Sequence, residues 1–418
     1  MQELVSSPRL VVKGASQIVS LAGPARARVG SEMGDIGVMT GVDLVCSNGL
    51  VEGVFPAGTS SSDGKCLEIV DATGCVVLPG FVDAHTHLVF AGNRLDEMAM
   101  RSAGATYAEI AAAGGGIRST VAKTRAASEE ELVEIAFRHA NRFLANGTTT
   151  IEAKSGYGLD LETELRILRA MREADSLTRL SILPTYLGAH AFPAEFTSET
   201  DAYVESILST IDLVAEQSLA LWCDVFVEEG YFSADHARRI AVRAHQAGLR
   251  MRMHVDQFAD SGGAALAAEL GADSADHLEY TSTAGIEELA RAGVVPVLLP
   301  ASVYCLGLLR YPAAREMIDR GLPVVVATDF NPGSSPTFSM PFVTSLACTQ
   351  MRMTPEEALT AATINPAYSL AVGDRVGSLE QGKQANFTIW PCQDWREIVY
   401  HPGSIWPSQV FVSGNCVV

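Results

Sequence analysis

Short apolar runs separated by Gly, Ser and Asn residues occupy the first part of the chain, and the same pattern returns after about Gly373. Such runs are typical of short antiparallel strands. The predicted strands span 9–13, 42–46 and 66–70 near the start and 386–390 and 409–412 near the end. Neither end carries enough strands for a sheet of its own. We therefore expect residues 1–76 and 373–418 to pair into one small β-sandwich domain.

Between these ends, strand-like apolar runs alternate with amphipathic helical patterns. The eight predicted strands begin near Val76, Thr148, Leu180, Leu221, Leu249, Asp273, Val294 and Leu322, and the clearest helices span 129–146, 161–174, 235–247 and 264–270. This alternation over residues 77–372 fits an α/β fold of the (β/α)8 TIM-barrel type, whose usual size is roughly 250 residues. A doubly wound sheet is the alternative fold. It usually has a Gly-rich turn after its first strand, where this chain has histidines.

Composition narrows the classes of function. The chain has 418 residues, of which 48% are hydrophobic and 19% charged, so disorder and collagen-like structure are excluded. Its net charge of −19 follows from 30 Lys and Arg against 49 Asp and Glu. A polyanion without a basic cluster repels nucleic acid and anionic lipid headgroups. We therefore expect neither as a partner.

The cysteines and the N-terminal sequence indicate a location. Eight cysteines are scattered without a C-x-x-C pair, which favours reduced thiols over a disulfide framework. The first residues lack the basic and apolar regions of a signal peptide. No run of about 18 apolar residues is present that could span a membrane. A soluble cytoplasmic protein is expected.

Histidines follow the predicted strands. The first barrel strand ends in Phe81-Val-Asp-Ala-His85-Thr-His87, and residues two apart on a strand point to the same side. His85 and His87 can therefore hold one metal ion at the carboxyl ends of the barrel strands, where such enzymes have their active sites. Hydrogen bonding of both histidines within the core is the alternative reading.

Further residues favour the metal site. The histidines that follow other predicted strands are His190, His254 and His277, and the last predicted strand ends in Asp329. A buried carboxylate is costly unless a cation or hydrogen bonds satisfy it. Six such groups at one barrel mouth are difficult to explain as separate structural residues.

Longer motifs carry a resemblance to a known family. The segment Leu78-Pro-Gly-Phe-Val-Asp-Ala-His-Thr-His87 resembles the opening metal motif of the amidohydrolase superfamily. The segments that resemble the imidazolonepropionase family within it are 85–94, Gly114-Gly-Gly-Ile, Lys154-Ser-Gly-Tyr-Gly158, Ala275-Asp-His-Leu-Glu-Tyr280 and Asp329-Phe-Asn-Pro-Gly333. The resemblance extends from about residue 78 to residue 382, and the motifs are specific only in combination.

The resemblance implies a reaction and a cofactor. Members of this family hydrolyse the ring amide of 4-imidazolone-5-propanoate to N-formimidoyl-L-glutamate in histidine degradation. The implied metal ligands are His85, His87, His254 and Asp329. Three imidazoles and a carboxylate suit one divalent ion, Zn²⁺ or Fe²⁺, which activates water at neutral pH. Family habit also implies a homodimer.

Roles for the other site residues follow from the same resemblance. His277 is expected to be the principal acid/base and Asp329 to accept the proton of the attacking water. Gln257 stands where some related enzymes have Glu, and an amide can only orient water or ring groups. The residues expected around the substrate are Arg94, Tyr157, His190, Gln257, Asn331, Gly333 and Ser334.

Three of these substrate residues have a structural alternative. The planar fork of Arg94 suits the carboxylate arm of the substrate, but Arg94 could instead pair with Asp96 or Glu97. Tyr157 could serve only in loop packing. His190 could instead cap its own loop.

Other functions remain open at this point. A deaminase of a guanine-like or cytosine-like ring would share the metal ligands without needing Arg94. A dihydroorotase-like enzyme would need a carbamylated bridging Lys, and Lys154 follows the second strand, which is too early for that role. The fourth strand, over 221–229, has no Lys. A non-catalytic scaffold would have lost metal ligands, and all four are present.

Overall fold

The structure of the protein is a computed structural model that describes residues 9–59, 67–105, 109 and 114–418. The strands are β1 Arg9–Lys13, β2 Gln17–Val19, β3 Val38–Met39, β4 Val42–Ser47, β5 Leu50–Pro56, β6 Leu67–Asp71, β7 Val76–Pro79, β8 Phe81–Asp83, β9 Thr148–Lys154, β10 Ser181–Ala189, β11 Trp222–Val227, β12 Arg250–Val255, β13 Ser274–His277, β14 Val295–Leu298, β15 Val325–Val326, β16 Phe387–Trp390, β17 Gln409–Val412 and β18 Asn415–Cys416. They form a four-stranded, a six-stranded and an eight-stranded sheet.

The two smaller sheets share one apolar core and join the two ends of the chain. The four-stranded sheet has the order β5-β4-β1-β6, and the six-stranded sheet has the order β18-β17-β16-β7-β2-β3. The antiparallel pair β7–β16 connects N-terminal to C-terminal strands. In the core between the sheets, Phe387 and Phe411 stack with 4.4 Å between their ring centroids. The predicted β-sandwich from both termini is confirmed.

The eight-stranded sheet is the barrel. Strands β8 to β15 are parallel neighbours in chain order, and the barrel closes just beyond the first and last strands. There Thr86 and Phe330 form a parallel bridge, and the amide of His87 donates to the carbonyl of Phe330 at 2.8 Å. The TIM-barrel prediction is confirmed, and the doubly wound alternative is wrong.

The first barrel strand begins later than the sequence pattern predicts. The run from Val76 is strand β7, which pairs with β2 and β16 in the six-stranded sheet. Pro79 and Gly80 interrupt this run, and the barrel begins at Phe81. One apolar run therefore serves two sheets, which its hydrophobicity alone could not reveal. The division of the chain at 76/77 and 372/373 stays a prediction, and the pairing of β7 favours a first boundary near Gly80.

Helices cover the outside of the barrel and follow its strands. The α-helices are Leu95–Ser102, Ile117–Ala126, Glu129–Ala145, Leu161–Leu177, Thr200–Glu216, Ala234–Gln246, Gly263–Glu269, Thr283–Ala292, Pro300–Leu306, Ala314–Asp319, Met340–Met351, Pro355–Ala361, Ile364–Ser369 and Arg396–Tyr400, and Gly30–Gly34 and Ala194–Phe196 are 3₁₀ helices. Ser128 starts one helix with a reciprocal capping box to Glu131. No helix in the described ranges is long and apolar enough to cross a membrane.

Candidate active site

A cavity of about 720 Å³ opens at the carboxyl ends of the barrel strands. With the exception of His85, which lies deeper, every predicted site residue lines it: His87, Arg94, Tyr157, His190, His254, Gln257, His277, Asp329, Asn331, Gly333 and Ser334. The structure therefore brings the predicted residues together. Their strands converge here because parallel barrel strands all present their carboxyl ends to one face.

The closing seam of the barrel positions three of these residues. The amide of Asp329 donates to the carbonyl of His85 at 3.0 Å, next to the bridge between Thr86 and Phe330. As a result, Oδ1 of Asp329 lies 3.6 Å from Nε2 of both His85 and His87. Asp329 has a positive φ of 52°, a conformation that persists only where surrounding contacts enforce it.

Two buried carboxylates orient two of the imidazoles. Nδ1 of His254 lies 3.0 Å from Oδ1 of Asp224 on β11, and Nδ1 of His85 lies 2.6 Å from Oδ2 of Asp276 on β13. A carboxylate accepts a hydrogen bond, so the Nδ1 that faces it carries the proton. The lone pair of each neutral ring is then on Nε2. Metal-binding histidines usually have such a partner behind them.

The free imidazole nitrogens fit a metal ion. Within the described parts of the chain, Nε2 of His85 and Nε2 of His254 are buried without a hydrogen-bond partner, and Nε2 of His87 lies 3.6 Å from Oδ1 of Asp329. Burial, the largest cause, lowers the pKa of both His85 and His87, which keeps the rings neutral and able to coordinate. Burial raises the pKa of Asp329, and a bound cation opposes that effect.

His277 faces a carboxylate on one side and the histidine cluster on the other. Its Nδ1 lies 3.4 Å from Oε1 of buried Glu279. Its backbone has a positive φ of 83°, at the end of β13. A ring nitrogen of His277 also lies within 4.8 Å of ligand atoms of His85 and His254. The distances and the carboxylate at Nδ1 fit either a metal ligand or a proton-transfer residue.

The loop after Asp329 is held by its own side chains. The amide nitrogen of Asn331 donates to the carbonyl of Asp329 at 2.7 Å and to Oγ of Ser334 at 2.8 Å. Its Oδ1 accepts from the amides of Gly333 and Ser334 at 2.8 and 2.7 Å. Ser334 in turn donates to Oδ2 of Asp329 at 3.3 Å. Asn331 thus shapes this wall of the cavity and holds Asp329 in place.

Two guanidinium groups converge on this loop. Arg94 donates from Nε to Oγ1 of Thr120 at 2.9 Å and lies 4.0 Å from Glu97, so the alternative salt bridge is long. A Cβ on Gly333 would lie only 2.3 Å from Nη1 of Arg94, so a side chain at this position would displace the guanidinium group. Arg101 approaches from the other side and donates to the carbonyl of Gly333 at 3.3 Å. The outer part of the cavity is therefore positively charged.

Three aromatic rings form another part of the cavity wall. The ring of His190 stacks on that of His87 with 5.0 Å between centroids, and Tyr157 packs edge-on against His190. Nδ1 of His190 lies 2.9 Å from the carbonyl of Gly156, so the ring contacts the neighbouring loop, as the alternative reading expected. Burial, followed by His254, lowers the pKa of His190 to about 3. The neutral ring then presents an accepting Nε2 to the cavity side.

One buried glutamate fixes the loop that carries Tyr157. Glu164 lies in the first turn of helix Leu161–Leu177 and is 1% exposed. Its carboxylate accepts from the backbone amides of Gly156, Gly158 and Leu159 at 2.9, 2.7 and 2.9 Å. Three amides on one carboxylate leave the loop little freedom.

Gln257 is placed by the aspartate before it. Asp256 has a positive φ of 52° and accepts from the amides of Gly263 and Ala264 at 2.9 and 3.1 Å. It also accepts from Oγ1 of Thr281 at 2.8 Å. These contacts turn the chain after β12 so that Gln257, 8% exposed, lines the cavity.

The sequence pattern assigned no role to five residues of this site. They are Arg101, Glu164, Asp224, Asp276 and Glu279. Asp224 carried a signal, because it is a charged residue inside an apolar strand and must have a partner when buried. Asp276 lies in the short polar strand Ser274–His277, where a carboxylate is not conspicuous. Glu164 and Arg101 lie within helical stretches, where a charged residue is ordinarily read as solvent-facing.

Comparisons with known proteins agree with this geometry. The profile of the amidohydrolase family matches residues 76–417. Two solved structures share the fold: a 5-methylcytosine deaminase from Klebsiella pneumoniae (TM-score 0.69, 14% identity, 98% and 97% of the two chains covered) and an E. coli guanine deaminase (TM-score 0.68, 16% identity, 98% and 99% covered). The barrel and its site define a metal-dependent hydrolase, and the chain belongs to the amidohydrolase family.

Closer relatives identify the branch of that family. The imidazolonepropionase of Solibacter usitatus (strain Ellin6076) is 53% identical over 403 residues, which cover 96% of both chains. That of Symbiobacterium thermophilum (strain DSM 24528 / JCM 14929 / IAM 14863 / T) is 44% identical, with 98% of this chain and 97% of the relative covered. The chain belongs to the imidazolonepropionase family.

Proposed function

We propose that this enzyme hydrolyses the ring amide of 4-imidazolone-5-propanoate to N-formimidoyl-L-glutamate, a step of histidine degradation. The observation that carries the proposal is the pairing, within one cavity, of a buried histidine cluster with the guanidinium group of Arg94. The cluster suits amide hydrolysis, and the guanidinium suits the carboxylate arm of this substrate. The imidazolonepropionase relatives at 44–53% identity support the same reaction.

The residues that would hold the metal are His85, His87, His254 and Asp329. Their three nitrogens and one carboxylate suit a single Zn²⁺ or Fe²⁺. When bound, such an ion polarises a carbonyl and lowers the pKa of water toward about 7. The fixed Nδ1 contacts of His85 and His254 orient these two imidazoles for that ion.

Proton transfer falls to Asp329 and His277. Attack of water on the ring carbonyl requires a base, and cleavage of the C–N bond requires an acid for the leaving nitrogen. Asp329 accepts the proton of water, since its Oδ1 points between His85 and His87. His277, supported by Glu279, donates a proton to the leaving nitrogen. Gln257 orients the water or the ring.

Substrate binding uses both of these parts of the cavity wall. Arg94 binds the propionate arm in two parallel hydrogen bonds, which the net charge of −19 makes necessary because the overall field repels anions. Tyr157 and His190 line the ring, and the accepting Nε2 of His190 suits a ring N–H. The loop of Asn331, Gly333 and Ser334 closes the wall around Arg94.

A spectrophotometric assay with 4-imidazolone-5-propanoate tests the proposal, with the metal content of the same sample measured in parallel. We expect turnover of this substrate and about one Zn²⁺ or Fe²⁺ per chain. Guanine and cytosine serve as control rings, since the solved deaminases share only the fold. Turnover of a control ring alone, by folded and metal-loaded enzyme, would overturn the assignment. The homodimer also stays a prediction, and light scattering would test it by measuring the mass of the protein in solution.

A further inference from the structure

The ammonium group of Lys154 lies in the centre of the barrel, below the site. Its side chain is fully buried, and Nζ lies 2.9 Å from Oε1 of Glu152, 2.8 Å from Oδ2 of Asp224 and 3.5 Å from Oδ2 of Asp276. An ammonium has three donors, and here three carboxylates surround it. The mechanism above assigns this lysine no task.

Two of the three carboxylates also hold imidazoles of the metal site. Asp224 accepts a hydrogen bond from Nδ1 of His254, and Asp276 accepts one from Nδ1 of His85. Lys154 therefore connects the two carboxylates that stand behind two different metal ligands, on strands β11 and β13. The third carboxylate, Glu152, belongs to the same strand as the lysine.

We propose that Lys154 is a positioning residue of the metal site, which holds Asp224 and Asp276 together and thereby fixes the ring orientation of His254 and His85. The inference rests on the proposed metal-dependent function. It also disfavours a bridging carbamate at this lysine, because a carbamate is an anion and would face three carboxylates.

A role limited to packing does not explain a charge at this place. Buried ion pairs contribute little net stability compared with apolar residues of equal volume, because desolvation offsets the attraction. Removing one partner, however, leaves unpaired charges that must rearrange or take up protons. Without Lys154, Asp224 and Asp276 would be the groups that rearrange. The imidazoles of His254 and His85 would then lose the contacts that orient them. Loss of such supporting contacts typically lowers metal affinity by about 10- to 100-fold.

The test is the metal affinity of Lys154→Met, measured in the full-length apo-protein without substrate. Competition for Zn²⁺ with a chromophoric chelator should show a 10- to 100-fold weaker Kd than in the unmodified protein. The Co²⁺-loaded variant should also have an altered visible spectrum, which reports ligand geometry directly. An unchanged Kd and spectrum in folded Lys154→Met would overturn the proposal.

Lys383→Met is the matched control. Lys383 is also buried and paired, 3.2 Å from Glu380 and 2.7 Å from Oγ of Ser378, but its partners touch no imidazole. It should lose stability and keep its Zn²⁺ affinity within about threefold of the unmodified chain. An equal loss of affinity in this control would show a general effect of removing a buried lysine and overturn the proposal.

Two further variants keep the proposal testable if Lys154→Met does not fold and show whether Lys154 acts through Asp224. Should Lys154→Met not fold, Lys154→Gln takes its place, because its amide keeps a donor for one carboxylate while the charge is lost. The combination with Asp224→Asn must be non-additive in metal affinity if Lys154 acts through Asp224. Additive losses would contradict the mechanism. None of these measurements uses substrate, so a failure of the proposed reaction leaves their outcome readable.

Discussion

The imidazole of His277 and the carboxylate of Glu279 face each other inside the barrel mouth, with 3.4 Å between Nδ1 and Oε1. Burial lowers the pKa of His277, but Glu279, as the chief opposing charge, raises it above its ordinary value. Burial thus disfavours the protonated imidazole, and the charge of Glu279 stabilises it again. This pair favours the protonated form of His277, the form that can act as an acid.

Glu279→Gln should therefore move the pH dependence of the reaction. Without the carboxylate, the pKa of His277 falls. A group that must be protonated to act loses activity as pH rises through its pKa, so the alkaline limb of kcat/KM should move to lower pH. The measurement is a pH–rate profile of both proteins. An alkaline limb at the same pH in both would show that His277 is not the acid.

His277→Asn should reduce kcat by roughly 10²- to 10⁴-fold, the usual contribution of a general acid or base. The metal content should remain near one ion per chain, because the other four candidate groups are intact. Metal analysis beside the kinetic measurement separates the two roles that distance allows. Loss of the ion together with activity would instead identify His277 as a ligand.

Arg94→Ala should act mainly on KM. Loss of a charge-assisted hydrogen bond costs about 1.5–3 kcal/mol, which corresponds to a rise in KM of roughly 10- to 150-fold. Arg118→Ala is the matched control, because Arg118 lies exposed on the neighbouring helix Ile117–Ala126. Equal KM values for Arg94→Ala and the unmodified enzyme would remove the carboxylate clamp from the proposed mechanism.

Glu164→Gln should loosen the loop of Tyr157. The amide retains one accepting oxygen and loses the charge that binds three backbone amides, so kcat/KM should fall by about tenfold, equivalent to about 1.4 kcal/mol. Metal content should not change. Glu162→Gln, at an exposed position of the same helix, should behave as the unmodified enzyme. A similar fall in both variants would indicate a helix effect unrelated to the loop.

Much of the architecture follows from local patterns. Strands β1 and β17 begin and end at the predicted residues, since each is a short apolar run bounded by turn residues. His85, His87, His254 and Asp329 were identifiable as candidates because each is a metal-binding residue type at or near the end of a predicted strand. Their convergence required only the rule that parallel strands of a barrel share one active face.

The support behind these residues was less visible. The contact of Asp276 with His85 and that of Asp224 with His254 depend on which barrel strands become neighbours and in which register. Glu164 appears polar on an amphipathic helix, and only the turn of the chain around it shows that it is buried. Asn331 was expected at the substrate, whereas its hydrogen bonds organise its own loop. Such details are set by tertiary packing.

The seam at which the barrel closes has a consequence for folding. His85 and His87 leave the ribosome long before Asp329, and only the backbone pairing next to Thr86 and Phe330 brings them within reach of it. A growing chain therefore has no complete ligand set until its last barrel strand is in place. An ion held by these four residues would join the first and last strands of the barrel, and this seam could then open only with release of the ion.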